Sequence, residues 1–116
     1  MIADELSLET DGPLVIATLV GEIDVVRVGE VRGRLMAPVD SAVVALVLDL
    51  SGVTYLDSAG VHLIIDLYHE LSHRGHVLHL VRPQRRTPAL VLEVTDVGAV
   101  VEVHPDRKTA IAAVLA

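Results

Sequence analysis

The chain has 116 residues, with nine Lys or Arg against sixteen Asp or Glu, a net charge of -7 and no cysteine. This length is that of one domain, and a hydrophobic content of 52% without Trp or Phe points to a core of Val, Leu, Ile and Ala. An acidic chain poor in aromatics argues against nucleic acid as a partner and favours a basic protein surface, and the missing thiols exclude disulfide and thiolate chemistry.

Met1 to Leu6 carries neither the basic nor the apolar region of a secretory signal. Leu6 and Leu8 alternate with polar residues, and Asp11-Gly12 signals a hairpin turn into a β-branched strand from Leu14 to Ile23. Asp24 is placed to cap a helix from Val25 to Ala37, in which Val25, Val28, Val31, Leu35 and Met36 recur at helical spacing. Pro38 stops that helix.

Ser41 to Leu50 is the longest apolar run, and it is too short and interrupted to span a membrane. Val43 to Leu50 within it reads as a central strand buried on both faces. A helix from Ser58 to Arg74 follows, with a core stripe of Val61, Ile64, Ile65, Tyr68 and Leu71 and a polar stripe of His62, Asp66, His69 and His73. Gly75 ends it. His76 to Val81 is the next strand, in which His79 is expected to face solvent. Thr87-Pro88 opens a short helix broken at Gly98, Val100 to His104 forms a last strand, and Asp106 starts a terminal helix. Strands alternating with helices predict an α/β fold with a mixed sheet of four to five strands and four helices.

Chemistry concentrates in Asp57-Ser58-Ala59-Gly60, where a buried strand turns into a helix. A serine there stands beside the positive end of the helix, among backbone N–H groups that favour a phosphate. Phosphorylation would add about -1.5 to -2 charges at one exposed point. The alternative role for Ser58 is a helix N-cap, which spacing alone favours because Ser is among the commonest caps.

Gly21-Glu22-Ile23-Asp24, Asp49-Leu50-Ser51 and Asp57-Ser58-Ala59-Gly60 together resemble, in order and placement, the motifs of the STAS family, in particular the bacterial anti-sigma factor antagonists. The resemblance covers nearly the whole chain and implies one STAS domain over residues 1–116. It implies that a partner serine kinase, itself an anti-sigma factor, phosphorylates Ser58, and that a phosphatase reverses this. The unphosphorylated antagonist would bind the anti-sigma factor and free the sigma factor. Asp24, Asp57, Ala59, Gly60, His62 and Asp66 would join Ser58 in the partner-binding surface. No cofactor, metal or catalysis is implied, and the protein would be cytoplasmic and a monomer when free. Two features depart from the family pattern: Ala59 stands where many members have a second hydroxyl, and His62 where a smaller or apolar residue is commoner. A second reading within the family is a freestanding STAS subunit of a lipid or anion transport system.

His69-Glu70-Leu71-Ser72-His73 matches H-E-x-x-H, in which two imidazoles one helical turn apart bind Zn²⁺ and a glutamate acts as general base. A small zinc hydrolase would follow, yet no recognised third-ligand motif accompanies the pair, and a solvated helix face is the expected reading. His62, His76, His79 and His104 are expected on the surface or in loops. Arg82, Arg85 and Arg86 form a small basic cluster without an assigned role.

Overall fold

β1 (Glu5–Asp11) and β2 (Leu14–Ile23) pair antiparallel across a turn in which Gly12 takes the left-handed conformation, φ 58°. The computed structural model describes residues 5–115; Met1 to Asp4, on which part of the signal-peptide reading falls, and Ala116 lie outside the described residues. The order continues α1 (Val28–Met36), β3 (Ala45–Leu56), α2 (Ser58–His73), β4 (Val77–Val81), α3 (Arg86–Val94), a 3-10 turn (Val97–Ala99), β5 (Glu102–His104) and α4 (Arg107–Leu115).

The five strands form one sheet in the order β1-β2-β3-β4-β5, antiparallel at β1-β2 and parallel elsewhere. This is the mixed α/β architecture expected from the alternation of elements. Side chains alternate between the two faces of each strand. Val15, Ala17 and Leu19 of β2 with Leu46, Leu48 and Leu50 of β3 form one face, covered by Val31 and Leu35 of α1, by Leu63, Ile64, Leu67 and Leu71 of α2 and by Leu92 of α3. The other face carries Leu14, Ile16, Ala45, Val47 and Val81, against which α4 packs Ala110, Ile111 and Val114. Burial on both faces explains why β3 reads as a continuous apolar run.

Several boundaries differ from the sequence reading. β3 runs on to Leu56, whereas β4 pairs only with its first part, Ala45 to Asp49. Its far half pairs with β2 through two register shifts, at Thr18/Val20 and Gly21/Glu22. Gly21 has φ 96°, which accommodates the irregularity. α1 begins at Val28, because residues 25–27 form a turn and leave Val25 72% exposed, outside the stripe predicted for it. α2 buries Leu63 and Leu67, while Ile65 and Tyr68 are only half-buried, so the core stripe is rotated from the one expected. α3 runs from Arg86 to Val94, with Thr95 as its C-cap before Asp96 turns left-handed at φ 61°; the break therefore precedes Gly98. Asp106 does cap α4: its carboxylate accepts from Thr109 N at 2.7 Å and its carbonyl from Ala110 N.

Candidate functional site

Ile23 and Leu56 lie side by side at the ends of parallel strands β2 and β3. The residues that follow them, Asp24 and Asp57, therefore leave the same end of the sheet on neighbouring strands, about 4.8 Å apart in such ladders. Each organises a turn. Asp24 accepts from the backbone N–H of Val26 (3.0 Å) and Arg27 (3.2 Å), which shapes the loop before α1 without capping the helix itself. Asp57 is extended (φ -114°, ψ -170°) and is the N-cap of α2, accepting from Ala59 N at 3.0 Å and Gly60 N at 3.2 Å.

This settles which residue caps. Ser58 is the first residue inside α2, its side chain is exposed, and among the described residues its hydroxyl makes no hydrogen bond. Two of the backbone donors expected to face a phosphate are taken by Asp57 instead. A phosphoryl group on Ser58 would meet the positive end of α2 and, at the same time, the nearby carboxylate of Asp57. Modification would thus concentrate negative charge at one corner of the molecule.

Gly60 is buried where α2 passes closest to the strand ends. A Cβ there would lie 2.3 Å from Leu56 Cδ1, 3.2 Å from Ile23 Cγ2 and 3.3 Å from the Ile23 carbonyl oxygen. Glycine is what lets the helix start this close to the sheet, which in turn holds the Ser58 turn on rigid backbone.

His62 and Asp66 are exposed on the second and third turns of α2. With Ala59 they line one wall of a shallow groove of about 250 Å³, whose other wall is Val28, Gly29 and Arg32 of α1. The structure therefore gathers Asp24, Asp57, Ser58 and Ala59 at the N-terminal end of α2, with Gly60 beneath them, while His62 and Asp66 continue along the α1–α2 groove toward the middle of α2. Val26, 85% exposed, Val25 and the exposed Tyr55 flank the same turns. Sequence reasoning missed this apolar rim, since Val25 was drawn into the helical periodicity; the pair Val25-Val26 directly after a turn-forming Asp was the available signal.

The H-E-x-x-H segment is built differently from a zinc site. Glu70 is engaged by Arg32 of α1 and by Arg74, the latter at 2.9 Å, so its carboxylate is held by two guanidiniums. Among the described residues no third His, Cys, Asp or Glu joins His69 and His73. Sequence reasoning also misplaced His79: it is 7% exposed, beneath the α4 side of the sheet, and burial pushes its pKa below the ordinary value of 6.5. The Asp49 of the Asp49-Leu50-Ser51 motif is buried mid-strand, where Arg107 of α4 grips it at 3.0 and 3.1 Å.

A mixed sheet with helices on both faces and an exposed serine opening a capped helix at the end of its parallel strands defines an α/β domain that presents one hydroxyl on a rigid corner. The STAS domain family model matches residues 5–110, and the chain belongs to that family. The fold is shared with an anti-sigma factor antagonist from Mycobacterium paratuberculosis at 23% identity and TM-score 0.87, over 97% of this chain and 95% of that one. It is similar to the anti-sigma factor antagonist SpoIIAA in its unphosphorylated form at 23% identity and TM-score 0.79, over 96% of each chain. A murine anion transporter, solute carrier 26 family member A9, contains the same fold at 18% identity and TM-score 0.77, over 92% of this chain and 18% of the transporter. No curated protein sequence matches the chain. Among the described residues no helix is long and apolar enough to cross a membrane.

Proposed function

We propose that this protein is an anti-sigma factor antagonist, a cytoplasmic single-domain binding module without catalysis of its own. In its unphosphorylated form it docks an anti-sigma factor serine kinase through the Ser58 turn, the Asp24 loop and the groove lined by His62 and Asp66. The kinase transfers phosphate to Ser58, the complex separates, and a phosphatase restores the binding form. The free protein is a monomer.

The observation that carries this reading is the Ser58 hydroxyl, exposed and relieved of capping by Asp57, on a STAS fold. The fold alone does not carry it, because the same fold occurs inside a transporter chain. Release follows from charge: a dianionic group beside Asp57 and near Asp24 makes an anion-rich corner, and like charge across an interface costs several kcal/mol.

Phosphopeptide mass spectrometry on the protein from its own cells, with phosphatases inhibited, is expected to find phosphate on Ser58. Ser58→Ala removes the phosphate and retains partner binding, whereas Ser58→Asp weakens binding by roughly tenfold or more. Stoichiometric phosphorylation of Ser58→Ala by the partner kinase would overturn the assignment. A membrane-transport ATPase co-purifying in place of a serine kinase would select the transport-subunit reading.

A further inference from the structure

On the α4 side of the sheet, at its β5 edge and remote in sequence from the Ser58 turn, three metal-ligand side chains converge. Parallel pairing sets His79 of β4 beside Glu102 of β5 and Val81 beside His104. Glu102 and His104 are two apart on one strand and share a face, and the register brings His79 onto the same face. His79 Nδ1 lies 2.8 Å from His104 Nε2, with ring centroids 5.1 Å apart and planes only 13° from parallel. His79 Nε2 lies 3.3 Å from a carboxylate oxygen of Glu102. One ligand atom from each residue falls within 4.8 Å of the other two, and among the described residues no other His, Cys, Asp or Glu trio does so.

Two imidazole nitrogens at this distance cannot both carry a proton. One donates and the other accepts, and a metal ion that takes the place of the shared proton needs the two nitrogens to move apart. We propose that His79, Glu102 and His104 form a binding site for a single borderline divalent metal ion, with Zn²⁺ the ion that the donor set fits. Two imidazoles and one carboxylate suit Zn²⁺ and its neighbours, whereas Mg²⁺ and Ca²⁺ prefer all-oxygen shells and Cu(I) prefers sulfur. Three protein ligands leave a fourth tetrahedral position for water.

The surroundings meet the remaining requirements. Tetrahedral Zn–N bonds of ~2.05 Å place two nitrogens about 3.3 Å apart, so the rings must spread by about half an ångström. His104 is only half-buried and Glu102 is mostly exposed, so both can move. The exposed Glu102 side chain leaves the cluster open to an ion from solvent. The bound ion would staple β5, a strand of three residues, to β4 and thereby secure the segment from β5 through α4.

The test is Zn²⁺ titration of tag-free, chelator-stripped protein by calorimetry, with Co²⁺ absorption as a report of coordination. Expected are one ion per chain, an intense tetrahedral Co²⁺ spectrum and a higher melting temperature with Zn²⁺. Glu102→Gln, an isosteric change at an exposed side chain, and His104→Ala each weaken binding by roughly tenfold or more and abolish the thermal shift. The double variant His69→Ala/His73→Ala binds as the parent does. Binding unaffected by Glu102→Gln and His104→Ala, binding lost in the His69/His73 variant, or no binding by the parent protein would each overturn the proposal.

Discussion

Asp57 and Gly60 divide between them the work of holding Ser58 in place. Asp57 occupies the capping position, which frees the neighbouring hydroxyl for chemistry. Asp57→Ala is expected to cost about 0.5–2 kcal/mol through loss of the cap, measurable as a lower urea midpoint with an unchanged slope. Gly60 acts through its missing side chain. Gly60→Ala forces a Cβ to within 2.3 Å of Leu56 Cδ1 and 3.3 Å of a backbone oxygen that has little freedom to yield. The expected cost is about 1–3 kcal/mol, seen as a melting temperature lower by roughly 5–15 °C. A Gly60→Ala protein as stable as its parent would mean that α2 can back away from the sheet without loss.

At the scale of elements, α4 is joined to the sheet by one arginine as much as by its apolar face. That face is small: Ala110 is its one buried residue, helped by Ile111 and Val114. Arg107 reaches across three strands, to Glu9 on β1 at 3.0 Å, to the Thr18 hydroxyl on β2 and to Asp49 on β3 at 3.0 and 3.1 Å. Only Asp49 is buried, so only that pair is shielded from water; the Glu9 contact is exposed and adds little. Arg107→Ala leaves the Asp49 carboxylate buried with, among the described residues, a single remaining donor, Ser51 N at 2.9 Å. A loss of about 1.5–3 kcal/mol in chemical denaturation is expected, together with faster amide exchange in α4 than in α2. Uniform exchange across both helices would show that α4 is held by its apolar contacts instead.

For the molecule as a whole, pH acts on stability through His79. Its pKa is lowered in the folded state by burial and by the His104 ring, against the opposing pull of Glu102. The unfolded chain therefore binds the proton more readily. The resulting stability is present above the ordinary value of 6.5 and is lost as pH falls below it. With a chelator present to exclude metal, urea midpoints are expected to fall between about pH 7.5 and about pH 5.5, and His79→Leu should flatten that fall. Equal slopes for parent and variant would assign the pH dependence to other groups. The Ser58 corner, by contrast, lies beyond the part of β3 that β4 covers; under the proposed function, charge added there is expected to act on docking while the core keeps its packing.

The order of strands and helices was legible in the chain because each carries its own period: alternation in β2, a continuous apolar run in β3, and helical spacing in α2. The Asp24 and Ser58 turns were legible as well, as short polar and glycine-bearing segments between those runs. Helix starts and buried faces were less so. Val25 fits a helical stripe in sequence yet sits in a turn that Asp24 folds, and Leu63 and Leu67 are buried where α2 meets the sheet, leaving Ile65 and Tyr68 half-buried at its side. Spacing along the chain alone favours Ser58 as the cap of α2, but Asp caps as well as Ser, and the extended backbone at Asp57 gives the place to Asp57 instead. The Arg107–Asp49 grip and the His79, Glu102 and His104 cluster join residues 58 and 25 positions apart. Such meetings depend on strand order and register, which local periodicity does not encode. The sequence by itself therefore determined the elements and the exposed serine turn, through propensity and pattern, whereas tertiary packing alone decided which polar side chains were buried together.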